Sequence, residues 1–312
     1  MDRTTFLLHR LVQTVFVMAG IVLATFVLIR MIPGDPAVVM LGRHATPERV
    51  AAVHAQLGLD QPVPVQLALY AASVLTGDLG TSIVSGDTVA AIMFERVQVT
   101  IFLILYSAIL ATVIAVPLAA LAAVRRGMLI DRAIRAGFTL TMAMPNFWVG
   151  IILILVFSLT LRMFPVSGYG TSLPDHLWHL FLPALTTALY LASLEIRSLR
   201  NSILDVIAAD HVAFARAKGL TERAVFVRHV LRNGLSSTVT VLGITVGWLV
   251  GSTVVIETVF SVPGAGRLLI DSVFRRDYPV IQGLVLLFGF LVVFINLLVD
   301  LTHSLLDPRV RL

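Results

Sequence analysis

Six long stretches without a charged residue constrain this chain more than any other feature. Each is 19 to 28 residues long, which is enough for a helix to cross the hydrocarbon core of a bilayer. They are Leu11–Ile29, Val97–Val124, Ala136–Leu161, His176–Leu194, Asn233–Ile256 and Tyr278–Val299. Because only 13% of the 312 residues are charged and 58% are apolar, the composition is that of a membrane protein. The pattern predicts an all-α integral membrane protein with six transmembrane helices.

The distribution of lysine and arginine predicts the orientation of these helices. With a cytoplasmic N-terminus, 15 of the 23 cationic residues lie inside and 8 lie outside. Four arginines occupy the short loop between the second and third stretches, whereas Arg162 alone follows the third. We therefore expect both termini and the segment Arg197–Arg232 in the cytoplasm, and Arg30–Arg96 outside the cell membrane.

The most cationic part of the chain, Asp205–Gly234, has the pattern of two short helices. A helix is predicted to end at Gly219, where glycine suits a left-handed C-cap. Thr221 can cap a second helix, with Glu222 in its first turn. Such a helix pair would form a compact protrusion that a partner protein could bind, and we call this segment, Asp205–Gly234, the knob. The alternative is a cationic loop that merely follows the topology rule.

Residues within the apolar stretches, or directly after them, are candidates for packing or for a transport path. Small residues four apart lie on one helix face and allow another helix to approach closely. This set comprises Gly243, Gly247 and Gly251. Asn146 and Glu257 are polar groups that are expected to face protein or a cavity rather than lipid, so they are possible path-lining residues.

No catalytic or cofactor-binding motif is recognisable in the sequence. The single lysine, Lys218, is followed by Gly219 rather than by Ser or Thr, which excludes a G-x-x-x-x-G-K-[ST] phosphate loop. His176 and His179 are the one close histidine pair, and two imidazoles without a third ligand are weak grounds for a metal site. The chain has no cysteine, so disulfides and thiolate chemistry are excluded. We expect a non-catalytic chain that binds no cofactor and no nucleic acid.

Several short motifs along the whole chain together resemble one family of membrane proteins. The motifs are Pro33-Gly34-Asp35-Pro36, Leu57-Gly58-Leu59-Asp60-Gln61-Pro62, Gly77-Asp78-Leu79-Gly80-Thr81-Ser82, Pro145-Asn146-Phe147-Trp148, Ala215-Arg216-Ala217-Lys218-Gly219-Leu220, His229 through Asn233, Glu257-x-x-Phe260, Arg276-Asp277-Tyr278-Pro279, Asn296-Leu297-Leu298-Val299-Asp300 and Asp307-Pro308-Arg309. In these motifs the chain resembles permease subunits of bacterial ABC importers of the dipeptide, oligopeptide and nickel family.

The resemblance implies a type I ABC importer permease fold over residues 1–312, located in the bacterial inner membrane. It implies a second homologous permease, two cytosolic ATPase subunits that bind ATP and Mg, and an extracytoplasmic binding protein that delivers substrate. The knob then corresponds to the coupling loop of these permeases. In the wider superfamily this loop begins with Glu-Ala-Ala, whereas this chain has Ala213-Phe214-Ala215 at that place and so lacks the glutamate. The residues expected to couple to the ATPase are Ala213, Ala215, Arg216, Ala217, Lys218, Gly219 and Leu220.

Alternatives exist both for the transported substrate and for the class of membrane protein. Short peptides are the expected cargo, and a nickel chelate or glutathione carried by the same mechanism is the alternative. A stand-alone secondary transporter or channel would be expected to place ionisable residues near the membrane midplane. A membrane scaffold would show no ATP-dependent uptake.

Overall fold

The computed structural model describes residues 3–31, 35–42, 45–58 and 60–306, and this part of the chain is helical apart from its turns and one isolated bridge between Thr81 and Thr88. The helices are α1 (Arg3–Arg30), α2 (Pro36–Leu41), α3 (Pro47–Leu57), α4 (Val63–Thr76), α5 (Val89–Val124), α6 (Leu129–Ala143), α7 (Asn146–Leu153), α8 (Leu173–Ile207), α9 (Asp210–Ala217), α10 (Glu222–Val225), α11 (Arg232–Gly234), α12 (Ser236–Val259), α13 (Ala265–Arg275) and α14 (Tyr278–Leu306). Two π-helical segments, Ile154–Thr160 and Phe226–Leu231, continue α7 and α10. The motif residues Pro33, Gly34, Leu59 and Asp307–Arg309 lie outside the described residues.

All six predicted stretches lie on helices, which confirms the all-α membrane class. Among the described residues, α5, α8 and the part of α14 from Tyr278 to Leu298 are long and apolar enough to cross a bilayer. Shorter apolar segments, Val12–Val27 and Gly247–Val259, correspond to the first and fifth stretches. Helix α8 continues past the predicted end at Leu194 to Ile207, so the segment predicted to begin at Arg197 starts inside a helix.

The third stretch is bent rather than straight. Helix α6 ends at Ala143, α7 begins at Asn146, and the two helical segments meet at 106°. Pro145 lies in this break, where proline can donate no backbone hydrogen bond. By contrast, Pro117 and Pro183 lie within the continuous helices α5 and α8. The predicted third span is therefore found as a broken pair of helices.

One compact unit comprises Met1–Thr100 and Pro263–Phe294. Within it, the apolar helix α4 packs on α1, since the rings of Phe26 and Tyr70 lie 6.0 Å apart and the Tyr70 hydroxyl donates to Thr25 Oγ1 at 3.2 Å. Arg30 donates to Gln66 at the end of the same contact. The sequence predicts a packed or interfacial helix here rather than a seventh span, and α4 is a packed helix of 14 residues.

Two of the quoted motifs meet in this unit. The carboxylate of Asp277 is buried and accepts hydrogen bonds from the Ser82 hydroxyl and from the backbone N–H of Ile83 at 3.2 Å. Arg276 adopts a left-handed conformation, φ 57°, as the C-cap of α13. The turn after α13 therefore holds the loop that precedes α5. The same unit contains an apolar core that is formed by Val89, Met93, Ala265, Val280 and Leu284.

The other unit, Ile101–Val262 with Ile295–Leu312, is built around α8. Helices α6, α7 and α12 all contact α8. The rings of Tyr190 and Trp248 stack at 4.2 Å between α8 and α12, and a Cβ at Gly150 would lie 3.0 Å from the Phe260 ring. Since α8 contributes the most fully buried side chains, it is the core helix of this unit.

A buried ion pair fixes α6 on α8. Asp131, in the first turn of α6, accepts two hydrogen bonds from Arg200 of α8, both at 2.8 Å. The Gly127 N–H donates to the same carboxylate at 2.9 Å, and Arg135 Nε donates at 3.2 Å. The Asp131 side chain is 1% exposed, so this network replaces the water that a charged carboxylate otherwise requires.

Candidate functional site

The predicted knob is present as two short helical segments joined by a turn at Gly219. Helix α9 ends at Ala217, and the N–H groups of Lys218 and Gly219 donate back to carbonyl oxygens of the last turn at 3.1 and 2.9 Å. Gly219 has φ 81°, which is the left-handed conformation that glycine adopts without a steric penalty. Thr221 then caps α10 by accepting from the Ala224 N–H at 3.4 Å. The local prediction of helix end, turn and cap is confirmed.

Contacts between side chains hold the two segments of the knob together. Arg216 donates to both carboxylate oxygens of Glu222, at 2.9 and 3.4 Å, across the turn. Both side chains are exposed, so this pair contributes at most about 1 kcal/mol. Val212, Val225 and Val230 are buried, and α9, α10 and the segment Phe226–Leu231 contact one another. The knob is thus a folded element rather than a loose cationic loop.

The structure divides the predicted coupling residues between two faces. Ala213, Arg216, Ala217, Lys218, Gly219 and Leu220 are exposed, whereas Ala215 is buried. The small side chain of Ala215 therefore lies inside the chain and not on the exposed face, and the coupling role of the whole set stays a prediction. Phe214 was not among the predicted contacts, yet its ring is 62% exposed and lies 4.7 Å from Lys218 Nζ. The signal in the sequence was an aromatic residue, Phe214, within a cationic segment.

The glycine set on α12 has a mixed environment. Gly243 is buried, Gly247 is half-buried and Gly251 is exposed. A Cβ at Gly251 would meet no atom of the described chain within 4 Å. The described residues therefore provide no close packing at Gly251, and the packing role of the set stays a prediction.

The two path candidates occupy different environments. Asn146 begins α7 directly after the break at Pro145, and its Nδ2 is buried without a hydrogen-bond partner in the described part of the chain. Glu257 is fully buried near the end of α12. Glu257 therefore does not line an open path in this conformation, whereas Asn146 has an unused donor at a bend. Their role in a path remains a prediction.

A third buried polar group, Glu195 on α8, was missed by the sequence argument. It immediately follows the apolar stretch that ends at Leu194 and is 0% exposed. Its Oε1 accepts from Thr112 of α5 at 3.5 Å, while Oε2 has no partner among the described residues. A carboxyl group buried in a spanning helix is costly, which makes Glu195 a functional candidate.

The histidine pair makes two separate structural contacts. His176 Nδ1 bonds to the Tyr169 carbonyl and His179 Nδ1 bonds to the Asp175 carbonyl, both at 2.8 Å. Because a carbonyl only accepts, Nδ1 carries the proton in both rings. His176 also stacks on Tyr169 with ring centroids 3.8 Å apart. The structure shows no cluster of three possible metal ligands among its described residues.

Comparison with known proteins identifies the family. Residues 115–312 match the family described as binding-protein-dependent transport system inner membrane component, and residues 3–104 match its N-terminal counterpart. The chain belongs to this family of ABC transport permeases. Like other permease components, it is a non-catalytic membrane subunit, and ATP hydrolysis resides on other subunits of such transporters.

Relatives match over almost the whole chain. The chain is 40% identical to the probable peptide ABC transporter permease protein y4tP of Sinorhizobium fredii, with 98% of this chain and 99% of the relative covered. It is 39% identical to the dipeptide transport system permease protein DppB of Escherichia coli, with 98% of each chain covered. The predicted membership of this permease family is confirmed.

Solved structures show the same fold at lower identity. The chain matches the inward-facing MetNI methionine ABC transporter with a TM-score of 0.58 and 19% identity, over 69% of this chain and 96% of that one. An amino acid ABC transporter gives a TM-score of 0.53 and 14% identity, over 69% and 94% of the two chains. The importer permease fold is therefore established for the larger part of the chain.

Proposed function

We propose that this chain is one of two permease subunits of an ATP-driven importer of di- and oligopeptides. The observation that carries the proposal is full-length similarity, at 38 to 40% identity, to several permeases whose names specify peptide transport. Residues 1–312 act as a single permease domain. A second homologous permease completes the path, two cytosolic ATPases bind ATP and Mg, and an external binding protein delivers the peptide.

The exposed face of the knob is the proposed contact with an ATPase. Its shape supports this role, because a folded turn with exposed Phe214, Ala217 and Leu220 offers apolar surface surrounded by cationic side chains. ATP-driven closure of the ATPases would move the knob and alternate the access of the path. Gly251, which has open space around it, is proposed to face the second permease.

The orientation is tested with single cysteines in this cysteine-free chain. We expect Ala45→Cys to react with a membrane-impermeant maleimide in sealed cells, and Thr221→Cys to react only after the membrane is opened. The reason is the cation bias, which places residues 30–96 outside and 197–232 inside. Reaction of Thr221→Cys from the outer face of sealed cells would overturn this topology.

The substrate is tested by uptake into vesicles that contain the complete complex, ATP and the loaded binding protein. We expect uptake of a labelled dipeptide, and we expect the His176→Gln, His179→Gln double variant to retain nearly all of it, because both rings bond only backbone carbonyls through Nδ1. Uptake is normalised to the amount of complex in the membrane. The peptide assignment is wrong if the wild-type complex ignores peptides and accumulates nickel, and if the double variant loses that accumulation.

A further inference from the structure

The start of α6 and the loop before it carry an exposed cationic and apolar surface. Arg125, Arg126, Arg132 and Arg135 are all exposed, and Leu129 between them is 80% exposed. Met128 and Ile130 beside Leu129 are exposed as well. Arginine alternating with uncovered apolar side chains is typical of segments that lie in the interface between water and lipid.

The position of this surface along the chain fixes its depth. Arg125 and Arg126 directly follow α5, whose last residues include the exposed apolar side chains Leu121 and Val124. With a rise of about 1.5 Å per residue, both arginines lie within a few ångströms of the end of a spanning helix. With the proposed orientation, we expect the two arginines near the lipid headgroups of the cytoplasmic leaflet.

A groove on α6 continues from the cationic end into an apolar region. It is shallow and open, and it is lined by residues of α6 alone: Arg132, Arg135, Ala136, Thr139, Leu140 and Ala143. These residues follow one helix face over eleven positions, or about 16 Å. The two arginines lie at one end and mainly small or apolar side chains at the other. This gradient matches a phospholipid, with a phosphate at one end and an acyl chain extending from it.

The charge balance around the groove favours an anion. Asp131 is the one acidic residue of the segment 125–143, and Arg200 of α8 satisfies it with two hydrogen bonds at 2.8 Å. Arg135 shares that carboxylate through Nε alone, and its side chain is 53% exposed. The positive charges of the segment are therefore in excess and face outward.

We propose that this α6 groove binds an anionic phospholipid of the cytoplasmic leaflet, with its phosphate between Arg132 and Arg135 and an acyl chain along Ala136–Ala143. Arg125 and Arg126 attract the same lipids through their field. The site rests on the proposed orientation, which places this loop inside. A tightly held lipid would keep α6, and through the Asp131–Arg200 pair also α8, at a fixed depth in the membrane.

The test is native mass spectrometry of the full chain released from nanodiscs that contain equal amounts of phosphatidylglycerol and phosphatidylcholine. We expect retained phosphatidylglycerol on the wild type. At about fivefold per arginine, Arg132→Gln with Arg135→Gln should lower its retention about 30-fold. Ala136→Trp, which fills the groove without changing charge, should also lower it. The charge-matched control is Arg223→Gln with Arg228→Gln on the knob, which should retain the wild-type lipid.

Several results would overturn the site. Unchanged phosphatidylglycerol on the double arginine variant, or equal loss on the knob control, would show that the groove is not where lipid binds. Displacement by millimolar glycerol phosphate would indicate a site for free phosphate. A Leu140→Cys cross-link to the second permease in the assembled complex would show that protein covers the groove. None of these measurements involves transport, so they stand apart from the uptake and labelling tests.

Discussion

Replacing Gly219 by valine should leave the permease in the membrane and abolish transport. At φ 81° a β-branched residue costs about 1–3 kcal/mol, and the turn between α9 and α10 relaxes to avoid that strain. Apart from its chain neighbours, no atom of the described residues lies within 4 Å of the added Cβ, so we expect the effect to arise from the backbone and not from a clash. The measurements are the amount of chain in the membrane, peptide uptake, and ATPase activity with and without the loaded binding protein.

Asparagine at the same position is the matched control. It adopts the left-handed conformation more readily than valine does, so Gly219→Asn should preserve the turn and most of the uptake. We expect Gly219→Val to lose the stimulation of ATPase activity by the binding protein, because the exposed face of the knob no longer fits its partner. Normal peptide uptake by the valine variant would show that the knob does not couple the permease to the ATPase.

The sequence predicts the local geometry of the knob because short-range chemistry determines it. A glycine after a helical run and a threonine before an acidic residue specify the turn and the cap without reference to the rest of the chain. The burial of Ala215 is different in kind. It depends on the elements that pack against α9, which contacts both α10 and the segment Phe226–Leu231, and helical spacing alone does not show which face they cover.

The membrane class follows from the apolar stretches, but their internal geometry does not. Four prolines lie within them, and the chain breaks at Pro145, whereas Pro117 and Pro183 stay within continuous helices and Pro279 lies in the first turn of α14. Each proline removes one backbone hydrogen bond, and neighbouring helices decide whether the helix bends. Whether a helix bends at a proline therefore depends on tertiary contacts, so the sequence predicts the third span but not its break at Pro145.

Glu195 shows a second limit of pattern reasoning. An uncharged stretch ends at the first charged residue, so the fourth predicted span stops at Leu194. The helix itself continues through Glu195 to Ile207. The pairing of Asp131 with Arg200 was also invisible, because 69 residues separate the partners. Long-range polar contacts of this kind carry no periodic signal in the sequence.

The Asp131–Arg200 pair should dominate the stability of the second unit. Arg200→Met removes both short hydrogen bonds and leaves a carboxylate that is 1% exposed without its main counter-charge. Breaking a buried pair from one side costs about 3–5 kcal/mol, so the midpoint of thermal unfolding in detergent should fall by many degrees.

Two variants separate this charge effect from simple loss of packing. Arg135→Gln removes the other arginine from the same carboxylate, and because that side chain is 53% exposed we expect a loss of about 1 kcal/mol or less. The double variant Asp131→Asn, Arg200→Met removes the orphaned charge, so it should recover most of the stability that Arg200→Met loses. A double variant as unstable as Arg200→Met alone would show that the guanidinium stabilises α6 on α8 through packing. Equal effects of Arg200→Met and Arg135→Gln would show that burial does not strengthen this pair.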